Sequence, residues 1–335
     1  MLRDRCLAEE VDILLPGGER PSFRIYSHEL TENSASCHVI KDAGDDPDIT
    51  NGAEIHARLS ISRGESRGEI IIEGGTGIGR VTKPGLAIPP GEWAINPVPR
   101  QMIIQAVQEV FPVHLSPFTF HLLLSIPDGQ ERARKTLNER LGIVGGLSIL
   151  GTTGIVRPVS AQAWTDTIDT AIDVALASGS SKVLLSTGRS SELVAQQHLC
   201  KAEMIKAESF VMMGDFFGHS VRACAVKGVG EVVVVGQFAK LLKMACGHEQ
   251  THVNSSALDL DMLSGWLERD PVASQLAPIA RGANTARQLL VESNFHPRLV
   301  ELVCGRVKRV GLGIANLPGL KVFLAGYHGE VLYFG

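Results

Sequence analysis

From residue 11 to about residue 124, short apolar runs alternate with turn clusters. The stretches VDILLPGGERPSFRIYS, HVIKDAGDDPDITNGA and EIHARLSISRGESRGEIIIEGG are punctuated by Pro16-Gly17-Gly18 and Arg63-Gly64. Apolar runs of this length, bounded by glycine and proline, predict antiparallel strands. Helical spacing first shows over residues 99–110, where Met102, Ile103, Ala106, Val107 and Val110 recur behind a proline suited to a first turn. A second helix is predicted over 129–141, opening with the acidic Glu131. Residues 1–145 thus read as an α+β N-terminal domain.

Beyond about Gly146 the rhythm becomes strand, glycine or serine loop, helix. LSILG is followed by SAQAWTDTIDTAIDVALASG, KVLLS by SSELVAQQHLCKAEMIKA, SFVMMG by FFGHSVRACAVKG, and EVVVVG by QFAKLLKMACG. Short unbroken apolar strands alternating with helices predict a parallel sheet covered on both faces. Residues 146–335 are therefore expected to form an α/β Rossmann-like domain with a mainly parallel sheet. Helices are expected to dominate from residue 255 to residue 310. A last strand pair, VFLAG and VLYFG, closes the chain around Tyr327-His328-Gly329.

Composition narrows the function classes. With 335 residues, 44% of them hydrophobic and 20% charged, the chain can bury two cores and does not have the make-up of a disordered one. The net charge of -4 leaves no global basic field for nucleic acid or an anionic membrane, so an anionic ligand needs a local basic pocket. No apolar stretch approaches the roughly 20 residues of a membrane span, and MLRDRCLAEE lacks the apolar core of a secretory signal. The expected compartment is the cytoplasm. Cys6, Cys37, Cys200, Cys224, Cys246 and Cys304 never approach CxxC spacing and read as reduced, mostly buried thiols. Nothing in the pattern opposes a homo-oligomer.

In open α/β sheets, ligands bind beyond the carboxyl ends of the strands. The loops expected there are Gly151-Thr152-Thr153-Gly154, Ser186-Thr187-Gly188-Arg189-Ser190, Gly214-Asp215-Phe216-Phe217-Gly218 and Gly236-Gln237-Phe238. Small residues in all four leave room for a nucleoside; the simpler reading of any single glycine is relief of a tight turn. None has the Walker spacing of a phosphate loop. The run Gly74-Gly75-Thr76-Gly77-Ile78-Gly79 mimics GxGxxG, yet Pro84, Pro89 and Pro90 forbid the helix a dinucleotide site requires. The better reading is a stiff, amide-lined path over residues 74–100, in which Gly75, Gly77 and Gly79 expose N–H groups. Arg80, Lys83 and Arg100 add positive charge, which suits a carboxylate-rich ligand. Asp42, Asp45, Asp46 and Asp48 are either cation ligands or, more simply, members of a solvated turn paired with basic residues. His248 and His252 follow a helix that Gly247 ends; His252 is kept as a candidate substrate contact.

The stretches KDAGDDPDITNGA, GGTGIGRVTKPGLAIPPGEWAINPVPRQMI, KTLNERLGIVGGLSILGTTGIVRPVS and KLLKMACGHEQTH closely resemble the cobalt-precorrin-5B C(1)-methyltransferase family of anaerobic cobalamin biosynthesis. The resemblance runs from Val11 onward. It implies methylation of ring carbon C1 of cobalt-precorrin-5B by S-adenosylmethionine, giving cobalt-precorrin-6A. It also implies that cobalt arrives in the substrate and that no protein metal site is needed. Under it, the donor falls to Gly151, Thr152, Thr153, Gly154, Thr187, Gly188, Ser190, Gly214 and Asp215. The tetrapyrrole carboxylates fall to Arg80, Lys83, Arg100, Arg157 and Arg189. Two features depart from the family pattern. The Gly-Thr-Thr-Gly segment and alanine-rich helix expected before Val11 are absent, which implies an upstream start. In addition, STGRSSE stands where a proline-glycine-asparagine loop is expected. Two rival readings stay open: a nicotinamide-dependent oxidoreductase, and a tetrapyrrole-binding paralogue without activity.

Overall fold

The computed structural model describes residues 1–63, 68–112, 117–156 and 161–335. It divides into two compact units, Met1–Ser160 and Ala161–Gly335.

The first unit opens with a hairpin of β1 (Glu10–Asp12) and β2 (Ser22–Arg24). Next come β3 (Tyr26–Leu30), β4 (Ser34–Ile40), β5 (Glu54–Arg63), β6 (Ile70–Gly74) and the short β7 (Arg80–Val81). Helix α1 (Pro97–Val110), β8 (Phe118–Ser125), α2 (Gly129–Ala133) and β9 (Ile143–Val144) complete it. The main sheet has the order β3-β4-β5-β8-β6, antiparallel except that β6 runs parallel to β8. Period-two alternation sends Ile55, Ala57 and Leu59 of β5, Leu122 and Leu124 of β8 and Ile72 of β6 into one core, against Ile103 and Ile104 of α1. The other face of β5 therefore carries His56, Arg58 and Ser60. Helix α1 starts on prolines, as the periodicity predicts.

The helix expected over 129–141 stops at Ala133. From there Lys135 N and Thr136 N bond back only three residues, and the chain reverses at Gly142, whose φ is +81°, into β9. LSILG is a second departure. Leu147 bridges Ile78 and Ile149 bridges Ile95, with Leu147 N donating to Gly77 O at 2.8 Å and Ile149 N to Ala94 O at 2.7 Å. This run closes the first unit rather than opening the parallel sheet, so the unit boundary falls after residue 160, not 145.

The second unit runs α3 (Ala161–Ala177), β10 (Lys182–Ser186), α4 (Arg189–Glu203), β11 (Phe210–Met212), α5 (Phe217–Val226), β12 (Glu231–Gly236) and α6 (Phe238–Ala245). There follow α7 (Leu260–Glu268), α8 (Ala277–Gly282), α9 (Ala286–Glu292), α10 (Pro297–Ile314), β13 (Leu320–Ala325) and β14 (Val331–Phe334). Its sheet has the order β11-β10-β12-β13-β14, parallel up to β13, with β14 antiparallel at the edge. Val183, Leu185, Val232, Val234, Val322 and Leu324 face the helical layer that includes α5, α6 and α10. Leu184, Val233, Val235 and Phe323 face Val194, Ala195 and Leu199 of α4. Burial on both faces is why these strands read as unbroken apolar runs. Each fully buried valine stabilises the unit by roughly 1.5–3 kcal/mol relative to exposure.

All six cysteines are free, but only Cys224 and Cys304 are buried, fewer than expected; Cys6 is exposed. Among the described residues no helix is long and apolar enough to cross a membrane.

Candidate functional site

The second unit gathers three of the expected loops at the carboxyl ends of its parallel strands. Thr187 N continues the sheet by donating to Val235 O at 2.9 Å, while Met213 N and Gly214 N both reach Ser186 O. A Cβ at Gly236 would lie 3.2 Å from the Thr187 side chain, so the loops after β10 and β12 nearly touch. The chain leaves β10 toward α4 on one face of the sheet and leaves β12 toward α6 on the other. Their mouth is thus the switch point where a crevice opens in such sheets. Over Gly188 a Cβ would meet nothing within 4 Å, so the backbone here is open to a ligand. Ser190 is exposed beside it.

Beneath the first loop lies a residue that sequence reasoning missed. Glu192 is fully buried in the first turn of α4, where a carboxylate is favoured by the helix dipole. Its Oε2 accepts from Ser186 Oγ at 2.8 Å, and its Oε1 accepts from Arg189 Nη1 at 3.2 Å and Gln196 Nε2 at 3.4 Å. Arg189 is thereby held through its guanidinium while the side chain remains largely exposed.

Asp215 is the centre of a second network. Its Oδ1 accepts from Thr251 Oγ1 at 2.7 Å and from Lys240 Nζ, and its main-chain carbonyl accepts from Thr251 N at 3.0 Å. Lys240 and the buried Lys243 both donate to Thr251 O, at 3.2 and 3.1 Å. Burial alone would raise the Asp215 carboxyl, but the bonds from Lys240 and Thr251 outweigh it and hold the group below its usual range. Burial, then the charge of Lys240, pushes the Lys243 ammonium below its ordinary value. His252 is exposed next to Thr251, and its charge also favours ionised Asp215. Gly214, at φ +58°, passes 3.1 Å under the Trp164 ring, measured to the Cβ it lacks. Trp164 in turn stacks with Phe216 at 6.4 Å between centroids, although it is 45% exposed. An exposed indole over a glycine loop was not singled out in the sequence, where Trp164 read only as part of a helix.

Gly151, Thr152, Thr153 and Gly154 do not follow a strand of the parallel sheet. They follow LSILG in the first unit, where a Cβ at Gly154 would press on Leu15 at 2.8 Å. The positional argument that set them with the strand-end loops therefore fails.

In the first unit, the glycine run has a packing role. A Cβ at Gly77 would lie 1.8 Å from Ile126 O, and one at Gly146 2.2 Å from Gly77 O. Gly75 N and Gly79 N donate to Leu124 O and Leu147 O at 2.6 and 2.8 Å. Those two amides are engaged within the fold, so the expected amide-lined loop is at these positions a knot of closely packed backbones. The cations beside it are presented differently. Arg80 lies 4.0 Å over the Trp93 ring and donates to Gly91 O at 2.8 Å, which holds an exposed guanidinium flat. Arg100 donates to Ile72 O at 3.3 Å, and Lys83 to Arg140 O at 3.3 Å. Arg157 lies outside the described residues. The acidic stretch is a self-paired turn: Asp48 binds Lys41 and Thr50, and Asp42 accepts from Gly44 N.

The profile of the CbiD family matches residues 1–158. The chain is 60% identical over 334 residues to the cobalt-precorrin-5B C(1)-methyltransferase of Citrifermentans bemidjiense, covering 100% of this chain and 92% of that one. To the protein of the same name from Priestia megaterium it is 39% identical over 334 residues, covering 98% and 89%. A 1.9 Å crystal structure titled cobalamin biosynthesis protein (cbiD), from Archaeoglobus fulgidus, matches 71% of each chain at 24% identity and a TM-score of 0.35. Identity of this extent to named enzymes makes the chain a methyltransferase. It belongs to the CbiD family of cobalt-precorrin-5B C(1)-methyltransferases.

Proposed function

We propose that this enzyme transfers a methyl group from S-adenosylmethionine to ring carbon C1 of cobalt-precorrin-5B, giving cobalt-precorrin-6A on the way to cobalamin. The observation that carries the reading is the 60% identity, along the whole chain, to relatives named for that reaction. Methyl transfer from a sulfonium is an in-line displacement, so the protein must chiefly align donor and acceptor carbon and exclude water. The absence of an acid–base dyad from the sequence motifs fits that demand.

The second unit's sheet, read as Rossmann-like, would hold the donor at the mouth between β10 and β12. Open backbone at Gly188, the small residues Thr187, Ser190 and Gly214, and the ionised Asp215 suit an adenosine with a charged amino-acid tail. Asp215 would accept from ribose hydroxyls or the donor ammonium, and Trp164 offers a face for the base. When bound, the donor supplies the electrophilic methyl. Acetate and propionate groups of the tetrapyrrole would be held by the first unit's Arg80, Lys83 and Arg100, with Arg157. Cobalt enters this scheme as part of the substrate.

Incubating the chain with cobalt-precorrin-5B and S-adenosylmethionine should yield a product heavier by one methyl group with matching loss of donor. No turnover, with tetrapyrrole binding intact, would instead identify a carrier. Equilibrium binding of NADH or NADPH in preference to S-adenosylmethionine would overturn the donor assignment. Donor affinity unchanged in Asp215→Ala would remove Asp215 from the site.

A further inference from the structure

On the face of the first unit's sheet that turns away from its core, His38 of β4 and His56 of β5 are directly paired across the strands. Glu54, two residues before His56, points to the same side by the period of the strand. One ligand atom from each of the three lies within 4.8 Å of the other two. We propose that His38, His56 and Glu54 form a binding site for a divalent transition-metal ion of the zinc, cobalt or nickel type, separate from the cobalt that the tetrapyrrole carries.

Two imidazoles and a carboxylate are a donor set such ions favour, and a fourth position is left to solvent. Metal–ligand bonds of 2.0–2.1 Å in tetrahedral arrangement put ligand atoms about 3.3 Å apart. Glu54 Oε2 and His56 Nε2 already stand at 3.0 Å. The His38 and His56 rings are stacked at 4.5 Å with planes 21° apart, so small side-chain rotations bring the third nitrogen in. The group is accessible: the His56 side chain is 38% exposed and that of Glu54 53%.

A second observation concerns how His38 is aimed. Its Nδ1 lies 3.1 Å from Ser27 Oγ. With Nδ1–H donating to that hydroxyl, the Nε2 lone pair is left for an ion, which is how an outer hydroxyl or carbonyl orients a metal-bound histidine. Ser27 itself sits where the β3–β4 register shifts, with φ at +29°. Such bulges re-aim side chains, and a positive φ is unfavourable for a non-glycine residue. Tyr26 stacks on His38 at 5.9 Å and limits its rotation. The strain thus coincides with the residue that fixes the ligand.

The test uses the untagged full chain, stripped with chelator, and titrated with zinc chloride by calorimetry and with cobalt chloride by visible absorption. One equivalent per chain is expected in both arms, with a cobalt spectrum of low coordination number. His38→Ala or His56→Ala should weaken binding at least tenfold. Ser27→Ala should weaken it by about tenfold, as losses of such outer partners do. His198→Ala, which alters an exposed histidine in the second unit, should change nothing. Unmetallated variants should keep the parent's thermal midpoint, because the three residues lie outside the core. Failure of the parent chain to bind either ion would overturn the proposal, as would equal affinity in the double variant His38→Ala/His56→Ala. Methyl transfer is a separate readout, so loss of this site would leave the proposed activity standing.

Discussion

Replacing Asp215 by asparagine keeps the shape of the side chain and removes its charge. The two hydrogen bonds to Oδ1 persist in weakened form, while Lys240 and Lys243, both donating to Thr251 O, lose the anion that offsets their mutual repulsion. Breaking a fully buried pair costs about 3–5 kcal/mol. The Asp215 and Lys240 side chains are 24% and 34% exposed, so solvent screening lowers the figure to about 2 kcal/mol. For a unit of this size that is a fall of about 4–8 °C in thermal midpoint. The pH dependence gives the sharper check. The folded carboxyl lies below its ordinary value of 3.8, so the stabilisation is complete above that value and lost as pH falls through the folded one. Thermal and urea unfolding of parent and variant, from pH 7 down to about pH 3, should show a gap that is widest at neutrality and narrows in acid. A gap that is absent at pH 7, or constant across the range, would refute the charge-based account.

Gly77→Ala forces a Cβ to 1.8 Å from Ile126 O at a φ of +74°. The positive φ alone costs about 1–2 kcal/mol, and with the overlap the loss should exceed about 4 kcal/mol; a variant melting with the parent would contradict the knot. Burial pushes the Cys224 and Cys304 thiols up to about 12, whereas Cys6 is exposed. A disulfide reagent at pH 8 should therefore modify Cys6 at once and the buried pair only after denaturation, and early labelling of Cys304 in native protein would count against this packing. Trp164→Ala should reduce donor affinity roughly 5- to 150-fold, the range of about 1–3 kcal/mol for stacking a base on an aromatic ring, with little change in melting. Unchanged affinity would remove the indole from the site.

Legibility followed the surroundings of each segment. The runs ending in Ser186, Met212 and Gly236 announce strands because both faces of each are buried, which leaves no polar alternation to confuse with a helix. LSILG has the same appearance, yet its partners are Ile78 and Ile95, far upstream, and an apolar run does not encode its neighbour. The helix after Gly129 is cut short where the Thr136 hydroxyl, donating to Ala133 O and accepting from Asn138 N, offers bonds that compete with helical ones. Glu192 escaped notice since a charged residue is read as surface by default; its placement in the first turn after a strand-end serine was the available sign. His38 and His56 become neighbours only through strand register, which no local spacing reveals.

The charged residues around the β10–β12 mouth are, in the main, bound to one another. Glu192 holds Ser186 and Arg189, and Asp215 holds Lys240 and Thr251. A hydrolase or isomerase needs groups free to change protonation state near neutrality. Here the Asp215 carboxyl is held ionised, well away from that range, by its partners. What such networks provide is fixed position: Glu192 anchors the helix start that carries the open Gly188 backbone, and Thr251 ties the Gly214–Asp215 turn to α6. Loops pinned in this way lose little further freedom when a ligand is bound. A displacement at a sulfonium methyl depends on alignment of donor and acceptor and hardly at all on proton transfer. The same polar residues that form no acid–base pair thus fix the loops proposed to carry the donor.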